Sequence, residues 1–413
     1  MQTTPKSLRI QIGIFGRTNV GKSSFLNMIS GQDVAITSPV PGTTTDVVEK
    51  PMELLPLGPV VFLDSAGLDD MSVLGELRVE RTMKALDRSD VALFLVEANV
   101  WSAAEENIVR IIKEKKKPFA VIVNKTDAVV PTDDFLRKLS SVTDKVLCVS
   151  SVSGTERNTY LNAIKQILVQ LCPEDLLMPK ALIGDLLPPG GLVVMVVPID
   201  LQAPKGRLIL PQVQAMRDVL DHDAAVLVVK EREYAAFLRN LKEPPALVVC
   251  DSQVVMKVVA DTPPGVKCTT FSILFARFKG DLIELARGAA RIGQLKAGDR
   301  VLIAESCTHH AAEDDIGRVK IPRWLRQYVG CELTVDHYAG RDYPKDLEKY
   351  QLIVHCGSCM LTRGEMMLRI QQAKERGVPV TNYGVAISFV QGVLKRALGP
   401  FPAALSAFES VSH

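Results

Sequence analysis

The sequence predicts an α/β protein of three units, and three observations support that architecture. Residues 1–172 alternate strand-like and helix-like segments, which is typical of a mostly parallel sheet covered by helices. The stretches 188–191 and 263–265 are rich in proline and glycine and indicate breaks between units. A glycine-containing loop separates the first strand from the first helix. We therefore place the units at residues 1–175, 180–264 and 266–413, the third with a second parallel sheet.

Composition excludes several classes of protein. The chain has 413 residues, of which 47% are hydrophobic and 23% charged, and its net charge is +2. These values are ordinary for a globular protein and give no general attraction to nucleic acid or membranes. No apolar run reaches the length of a membrane span, and no signal peptide is expected before the first strand. Eight scattered cysteines indicate a reducing compartment, so we expect a cytoplasmic protein with no nucleic-acid or membrane partner.

The elements follow from hydrophobic periodicity. In the first unit we predict strands at 9–15, 60–63, 92–97, 120–124 and 146–149. Helices are predicted between them at 22–30, 75–87, 104–115, 132–140 and 158–171. For the middle unit we predict strands 192–197, 225–229 and 246–249, with helices 212–221 and 232–241. Because that unit is short and apolar, it is expected to associate with a copy of itself. The third unit alternates between helices and strands at 281–295, 300–304, 322–329, 332–337, 351–354, 363–376, 378–382 and 386–397.

The first loop reads GRTNVGKS at residues 16–23, directly after a strand and at the start of a helix. This order is typical of a P-loop, which holds phosphates with backbone N–H groups and the helix dipole. Lys22 is expected to reach the β- and γ-phosphates, and the Ser23 hydroxyl to bind magnesium. The candidate phosphate-binding residues are Gly16, Asn19, Val20, Gly21, Lys22, Ser23 and Ser24.

Three further segments complete a nucleotide site. Residues 64–67 read DSAG; Asp64 is expected to hold magnesium through water, and the Gly67 N–H to meet the γ-phosphate. Residues 124–127 read NKTD, and the Asp127 carboxylate can accept two N–H groups that guanine has and adenine lacks. A serine pair lies where a second guanine-contacting loop is expected. Together these segments predict binding of GTP and GDP, with base contacts from Asn124, Lys125, Asp127, Ser150 and Ser151.

Over residues 1–170 these motifs resemble the GTPases of the Era, Der and MnmE group. Residues 41–46 read PGTTTD, similar to the PGTTRD switch loop of that group, which implies that Thr44 senses magnesium; Thr45 replaces the usual arginine. Asn19 matches the asparagine that coordinates potassium in cation-activated members, with backbone carbonyls near Ser38 and Val40. The resemblance implies potassium-activated hydrolysis of GTP, which we also expect to be slow.

The group that orients the attacking water stays open. Leu68 stands where Ras-like enzymes carry a glutamine, and a leucine cannot orient water. Glu76 matches the water-orienting glutamate of MnmE, but it fits a solvated helix carboxylate equally well. Potassium would supply positive charge at the β–γ bridge, and three arginines are candidate fingers, namely Arg17, Arg78 and Arg81. The predicted catalytic residues are Lys22, Thr44, Asp64 and Glu76.

A second group of candidate ligands occurs in the third unit. Residues 307–309 read CTH and residues 355–359 read HCGSC, and each segment follows a predicted strand. Since parallel strands end at one edge of a sheet, the segments are expected to converge on a metal. Structural zinc and an iron–sulfur cluster with one non-thiolate ligand both fit. His309, His355 or a carboxylate near Asp314 are candidates for the fourth position. The candidate ligands are Cys307, His309, His355, Cys356 and Cys359; the other five cysteines are expected to be buried apolar residues.

A potassium-type GTPase, a small middle unit and a CTH…HCGSC unit in this order resemble, over the whole chain, the HydF family of FeFe-hydrogenase maturation GTPases. The resemblance implies a 4Fe-4S cluster on Cys307, Cys356 and Cys359, and a homodimer or larger homo-oligomer built through the middle unit. It implies a scaffold that assembles the diiron subcluster of the H-cluster with two radical-SAM maturases and delivers it to the apo-hydrogenase. GTP hydrolysis would then act as a switch for partner exchange.

Two other functions compete with this interpretation. One is a zinc-containing GTPase of ribosome assembly or tRNA modification, which the near-neutral charge and the lack of interleaved aromatic and basic residues disfavour. The other is a redox enzyme that uses the cluster for electron transfer, which a non-thiolate fourth ligand disfavours. The colour of the purified protein distinguishes the scaffold from the zinc-containing GTPase. Brown protein purified without air favours an iron–sulfur cluster, and colourless protein with stoichiometric zinc favours the zinc-containing GTPase.

Overall fold

The computed structural model describes residues 5–30, 48–64, 82–174, 180–198, 208–306, 315–340, 343–344, 346–358 and 360–411. The chain divides into two compact units, residues 1–179 and 180–413. Within the described ranges, the longest and most apolar helices fall short of what a bilayer crossing requires.

The described part of the first unit is built on one sheet with strand order β2-β3-β1-β4-β5-β6. Its strands are β1 (Ile10–Gly16), β2 (Val48–Leu54), β3 (Gly58–Asp64), β4 (Val91–Glu97), β5 (Phe119–Asn124) and β6 (Val146–Cys148). All neighbours are parallel except β2 and β3. The helices span Lys22–Ser30, 82–88, Ala103–Glu114, Asp133–Val142 and Arg157–Leu171. Strand β2 was not predicted, because it is an edge strand interrupted by charges and Pro51.

Alternate residues of the central strands enter two separate hydrophobic cores. On β4, Leu93 and Leu95 join one cluster, whereas Phe94 and Val96 join the other. Such strands are covered on both faces, as expected for a parallel sheet between two layers of helices. The predicted α/β fold of this unit is confirmed.

The described part of the second unit contains two all-parallel sheets of four strands each, ordered β10-β9-β7-β8 and β12-β11-β13-β14. The first consists of β7 (Leu192–Val196), β8 (Ala225–Val229), β9 (Leu247–Cys250) and β10 (Cys268–Thr270). The second consists of β11 (Arg300–Ala304), β12 (Thr334–Tyr338), β13 (Leu352–His355) and β14 (Val380–Asn382). One hydrophobic core runs from Leu182 to Phe408. The first sheet therefore continues, through β10, past the predicted boundary at 264–266.

Helices of the second unit span Leu210–Asp221, Tyr234–Asn240, Val255–Asp261, Phe271–Lys279, Leu282–Ala290, Ile321–Val329, Arg363–Glu375, Tyr383–Val390, Leu394–Ala397 and Pro402–Glu409. The predicted single helix 386–397 is wrong, because Gly392 (φ 72°) adopts a left-handed conformation and ends the first of two helices. The helix Phe271–Lys279 was not predicted, and most of its residues are buried.

Candidate functional site

The P-loop follows β1 and needs glycine at two positions. Gly16 (φ 149°) and Gly21 (φ 92°) have backbone conformations that side chains disfavour. A Cβ at Gly16 would lie 2.5 Å from the Leu95 carbonyl oxygen, and one at Gly21 would lie 2.4 Å from Asn124 Nδ2. Lys22 Nζ donates to the carbonyl oxygens of Gly16 (3.0 Å) and Arg17 (2.7 Å). The lysine is thus held over its own loop, where a phosphate would meet it.

Asn124 joins three of the predicted segments. Its side chain is buried, and Nδ2 donates to the Val20 carbonyl oxygen at 2.9 Å. Its Oδ1 accepts from the Ser151 N–H (3.2 Å) and lies 2.7 Å from the Ser151 hydroxyl. The P-loop, the NKTD segment and the serine loop are therefore one hydrogen-bonded assembly. Lys125 forms an ion pair with Glu97 at the end of β4.

Asp64 lies at the end of β3 and pairs in register with Ile14 of β1. Burial raises the pKa of its carboxyl group, an effect that Lys22, Lys50 and the Ser23 hydroxyl oppose. Its Oδ1 is buried and has no hydrogen-bond partner among the described residues. An unsatisfied carboxylate oxygen and the nearby Ser23 hydroxyl are oxygen ligands of the kind that a hydrated magnesium ion prefers.

Other predicted nucleotide residues take different positions. Asn19 (φ 63°) and Asp127 are exposed, whereas Ser150 is buried with an unpartnered hydroxyl among the described residues. Thr44, Gly67 and Glu76 lie outside the described residues, as do the switch loop 41–46, Ser38, Val40, Arg78 and Arg81. Potassium coordination and the water-orienting role therefore stay predictions.

Arg17 is engaged within the domain. Its Nε lies 2.5 Å from Glu105 Oε1 and its Nη2 is 2.9 Å from Oε2, while the Glu105 side chain is almost fully buried. Arg17 Nη2 also bonds the Ser102 hydroxyl. Ser102 and Glu105 form a capping box at the start of helix Ala103–Glu114. This support of the P-loop was missed by sequence reasoning, although the S-x-x-E spacing of the capping box is readable.

The second predicted site lies at the carboxyl edge of the sheet containing β11 and β13. Ala304 and His355 are paired, and the Cys356 N–H donates to the Ala304 carbonyl oxygen at 3.0 Å. Cys356 Sγ accepts from the Ser306 N–H (3.2 Å) and the Ser358 N–H (3.4 Å), and the Ser306 hydroxyl lies 3.0 Å away. Ser306 directly precedes Cys307 in the sequence. The strand ends that lead to the two segments therefore lie side by side, whereas Cys307 itself lies outside the described residues.

Three candidate ligands, Cys307, His309 and Cys359, lie outside the described residues, as does Asp314. Among the residues that the structure describes, no group of three or more histidine, cysteine, aspartate or glutamate side chains is placed to hold a metal ion. The surroundings of Cys356 nevertheless fit a thiolate ligand, because N–H groups aimed at a sulfur stabilise its negative charge and are typical of iron–sulfur sites.

His355 is fully buried at the end of β13. Its ring stacks on Tyr343 with centroids 5.5 Å apart, and its Nε2 lies 3.4 Å from the Tyr343 hydroxyl. The Arg369 guanidinium lies over the Tyr343 ring, 5.0 Å from the ring centroid. Burial, and then the Arg369 charge, hold the pKa of His355 well below its usual value, so the imidazole is neutral. Its Nδ1 is buried without a partner among the described residues.

A polar network missed by sequence reasoning lies beside this edge. Glu305 is buried and accepts from the Tyr383 hydroxyl (3.2 Å) and from Arg318 Nε (3.4 Å). A Cβ at Gly317 would lie 2.0 Å from the Tyr383 hydroxyl, so a larger residue there would displace the hydroxyl from Glu305. Burial raises the pKa of Tyr383 well above its usual value, which keeps the phenol a donor. Glu305 is thereby fixed immediately before Ser306.

Curated relatives each match less than half of this chain. MnmE of Caldicellulosiruptor saccharolyticus is 35% identical over 128 residues, which is 30% of this chain and 28% of that protein. Der of Persephonella marina is 33% identical over 33% of this chain and 31% of its own length. Era of Aquifex aeolicus is 31% identical over 42% of this chain and 61% of its own length. The chain thus matches between about a quarter and three fifths of these relatives.

Among solved structures, a variant of Aquifex aeolicus Era bound to GDP.AlF4- covers 55% of this chain and 97% of its own chain, at 23% identity and a TM-score of 0.33. That likeness concerns the fold alone.

Family models cover most of the sequence. The model described as "50S ribosome-binding GTPase" matches residues 11–125, so the first unit contains a GTPase domain. The "Hydrogen maturase F dimerization domain" matches residues 182–280, and the "Hydrogen maturase F tetramerization domain" matches residues 283–400. The order of the three domains and the two specific models lead to one conclusion: the chain belongs to the hydrogen maturase F (HydF) family.

Proposed function

We propose that this protein is a GTP-hydrolysing scaffold that binds a 4Fe-4S cluster and assembles and delivers the diiron subcluster of FeFe-hydrogenase. The observation that carries the proposal is the sulfur of Cys356, cradled by the N–H groups of Ser306 and Ser358 at the sheet edge where Cys307 follows. Membership of the hydrogen maturase F family supports the same function.

The nucleotide site supports GTP hydrolysis. Lys22 would bind the β- and γ-phosphates, Ser23 and Asp64 would hold magnesium, and Asp127 would select guanine. The buried, unpartnered Asp64 Oδ1 fits that metal role. Potassium at Asn19 would add positive charge at the β–γ bridge in the role of an arginine finger, for which Arg17 is less available because it is paired with Glu105.

In the second unit, Cys307, Cys356 and Cys359 would hold the cluster, with His309, His355 or a carboxylate near Asp314 as candidates for the remaining position. A cluster with three thiolates supplies one iron with an exchangeable ligand, the property needed to hold a precursor and release it. The chain's own contribution is to fix and shield Cys356, through Ser306 and Ser358. Two radical-SAM maturases and the apo-hydrogenase would be its partners in the cytoplasm.

The middle unit offers a surface for a second copy. Strand β8 lies at the edge of its sheet and is apolar, yet Ala225 and Val228 are exposed, the latter at 40%. An exposed apolar edge strand is a template for pairing with another chain. Since the dimerization model covers this sheet, we propose β8 as the contact between two copies.

Val228→Lys is therefore expected to convert the oligomer to a smaller species, because a charge on an edge strand opposes pairing. Light scattering coupled to size exclusion measures the mass. The control is Val130→Lys, which replaces a valine that is 79% exposed in the GTPase domain and should leave the mass unchanged. An unaltered mass for Val228→Lys at matched concentration would place the dimer contact elsewhere.

Anaerobic reconstitution of the full chain with iron and sulfide tests the proposed function. We expect about four irons per chain and an EPR signal of a reduced 4Fe-4S cluster, perturbed by added imidazole or cyanide at the exchangeable iron. Tight, stoichiometric zinc without a cluster would reject the proposal and favour a zinc-containing GTPase that acts on RNA.

A further inference from the structure

One helix connects the middle sheet with the loop that carries Cys356. The helix Phe271–Lys279 begins directly after β10, and the Thr270 hydroxyl caps it by accepting from the Ile273 N–H at 3.1 Å. Its residues are mostly buried, so it is packed rigidly between elements of the second unit. Its last residue is a lysine that is only 2% exposed.

The buried ammonium of Lys279 binds the loop that follows β13. Lys279 Nζ donates to the carbonyl oxygen of Leu361 at 2.8 Å and to that of Ser358 at 3.2 Å. Ser358 lies between the cysteines of the CGSC segment, and its N–H points at Cys356 Sγ. A buried ammonium is costly unless it is hydrogen-bonded or compensated by negative charge, and these two carbonyl oxygens supply hydrogen bonds to it.

Arg363 makes the reverse connection. It is the first residue of the helix Arg363–Glu375, and its Nη1 donates to the carbonyl oxygens of Phe278 (2.9 Å) and Gly280 (3.1 Å). These carbonyls lie at the carboxyl end of the helix that Lys279 terminates, where a cation is favoured. Thr362 and Glu365 fix the start of the Arg363 helix by a capping box.

The helix Phe271–Lys279 thus contributes a cation that binds main-chain carbonyls of the loop after β13. The helix Arg363–Glu375 in turn contributes a cation that binds main-chain carbonyls at the end of the first helix. The loop after β13 is anchored at its start by the Cys356 N–H on Ala304 and at its end by Arg363, with Lys279 between them. Main-chain carbonyls bound in this way cannot rotate without breaking a charge-assisted hydrogen bond.

We propose that Lys279 and Arg363 form a clamp that positions the Cys356 loop for metal binding, and that the Lys279 charge stabilises the anionic, thiolate-bound cluster. The inference rests on the proposed function for the identity of the metal group. In this proposal Lys279 and Arg363 are positioning residues. The geometry of the metal site then depends on the helix Phe271–Lys279, the last helix within the match to the dimerization domain, which ends at residue 280.

The first test needs no metal. Metal-free protein is alkylated with iodoacetamide, and the rate at Cys356 is read by peptide mass spectrometry for Lys279→Met, Arg363→Met and Arg363→Lys. We expect both methionine variants to react severalfold faster at Cys356, and Arg363→Lys to recover most of the parent rate, because a lysine can still donate to the Phe278 carbonyl. The control Lys296→Met removes an exposed lysine of the same unit and should not differ from the parent.

The second test uses reconstituted protein. Lys279→Met is expected to bind less iron and to shift the cluster's midpoint potential to a more negative value, since removing a positive charge disfavours the added electron. Parent-like alkylation rates in both methionine variants, with an unshifted potential, would overturn the clamp. If the parent itself assembles no cluster, the proposed function fails, whereas the alkylation rates still decide whether the clamp positions the loop.

Discussion

Lys22→Met is expected to lower the rate of GTP hydrolysis by at least about 100-fold, because it removes the cation that meets charge developing on the phosphates. The substitution keeps most of the apolar stem, so packing near the P-loop is preserved. It also removes the hydrogen bonds of Nζ to the carbonyl oxygens of Gly16 and Arg17, which should cost about 1–3 kcal/mol of folding free energy. Phosphate release and thermal unfolding measure the two effects separately.

Lys117→Met is the matched control for the structural part of that effect. Lys117 is also held by main-chain carbonyls, with Nζ at 2.6 Å from the Ser89 oxygen and 3.3 Å from the Asp87 oxygen. Its substitution should lower stability by a similar amount and leave hydrolysis close to the parent rate. Comparable loss of activity in both variants would show that Lys22 acts through the stability of the domain rather than on the nucleotide.

The segments of the candidate nucleotide site could be predicted from the sequence because each carries a motif whose chemistry is local. Gly16, Asp64 and Asn124 occupy the ends of strands β1, β3 and β5, close to where strand ends were predicted. The bonds between the segments were not predictable, since the contact of Asn124 with Val20 joins residues 104 positions apart. The pairing of Arg17 with Glu105 depends likewise on how β1 and a distant helix pack, and no local pattern contains that information.

In the second unit, too, the local features could be predicted from the sequence and the tertiary contacts could not. The convergence of the Cys356 loop with the end of β11 followed from the rule that parallel strands end at one edge. The burial of Lys279 was not predicted, because a lysine at a helix end is usually solvated and only tertiary packing buries this one. Strand β10 was missed because three residues after a proline–glycine turn carry too little periodicity to be recognised.

Cys356→Ser is expected to abolish the 4Fe-4S cluster while leaving the fold nearly unchanged. A serine hydroxyl can still accept from the Ser306 and Ser358 N–H groups, so the hydrogen bonds now made by the sulfur are kept. It is, however, a poor iron ligand at neutral pH, where it is not ionised. Iron and sulfide analysis with EPR should show loss of the cluster, and the melting temperature of the metal-free protein should stay close to that of the parent.

Cys331→Ser supplies the control, because Cys331 is another partly buried cysteine of the same unit and is not among the predicted ligands. It should retain about four irons per chain and the parent spectrum. The comparison separates ligation from packing. The two substitutions change the same atoms, but at Cys356 one N–H group from the end of the neighbouring strand (Ser306) and one from its own loop (Ser358) point at the sulfur. Full iron content in Cys356→Ser would remove Cys356 from the ligand set, and with it the observation on which the scaffold function rests.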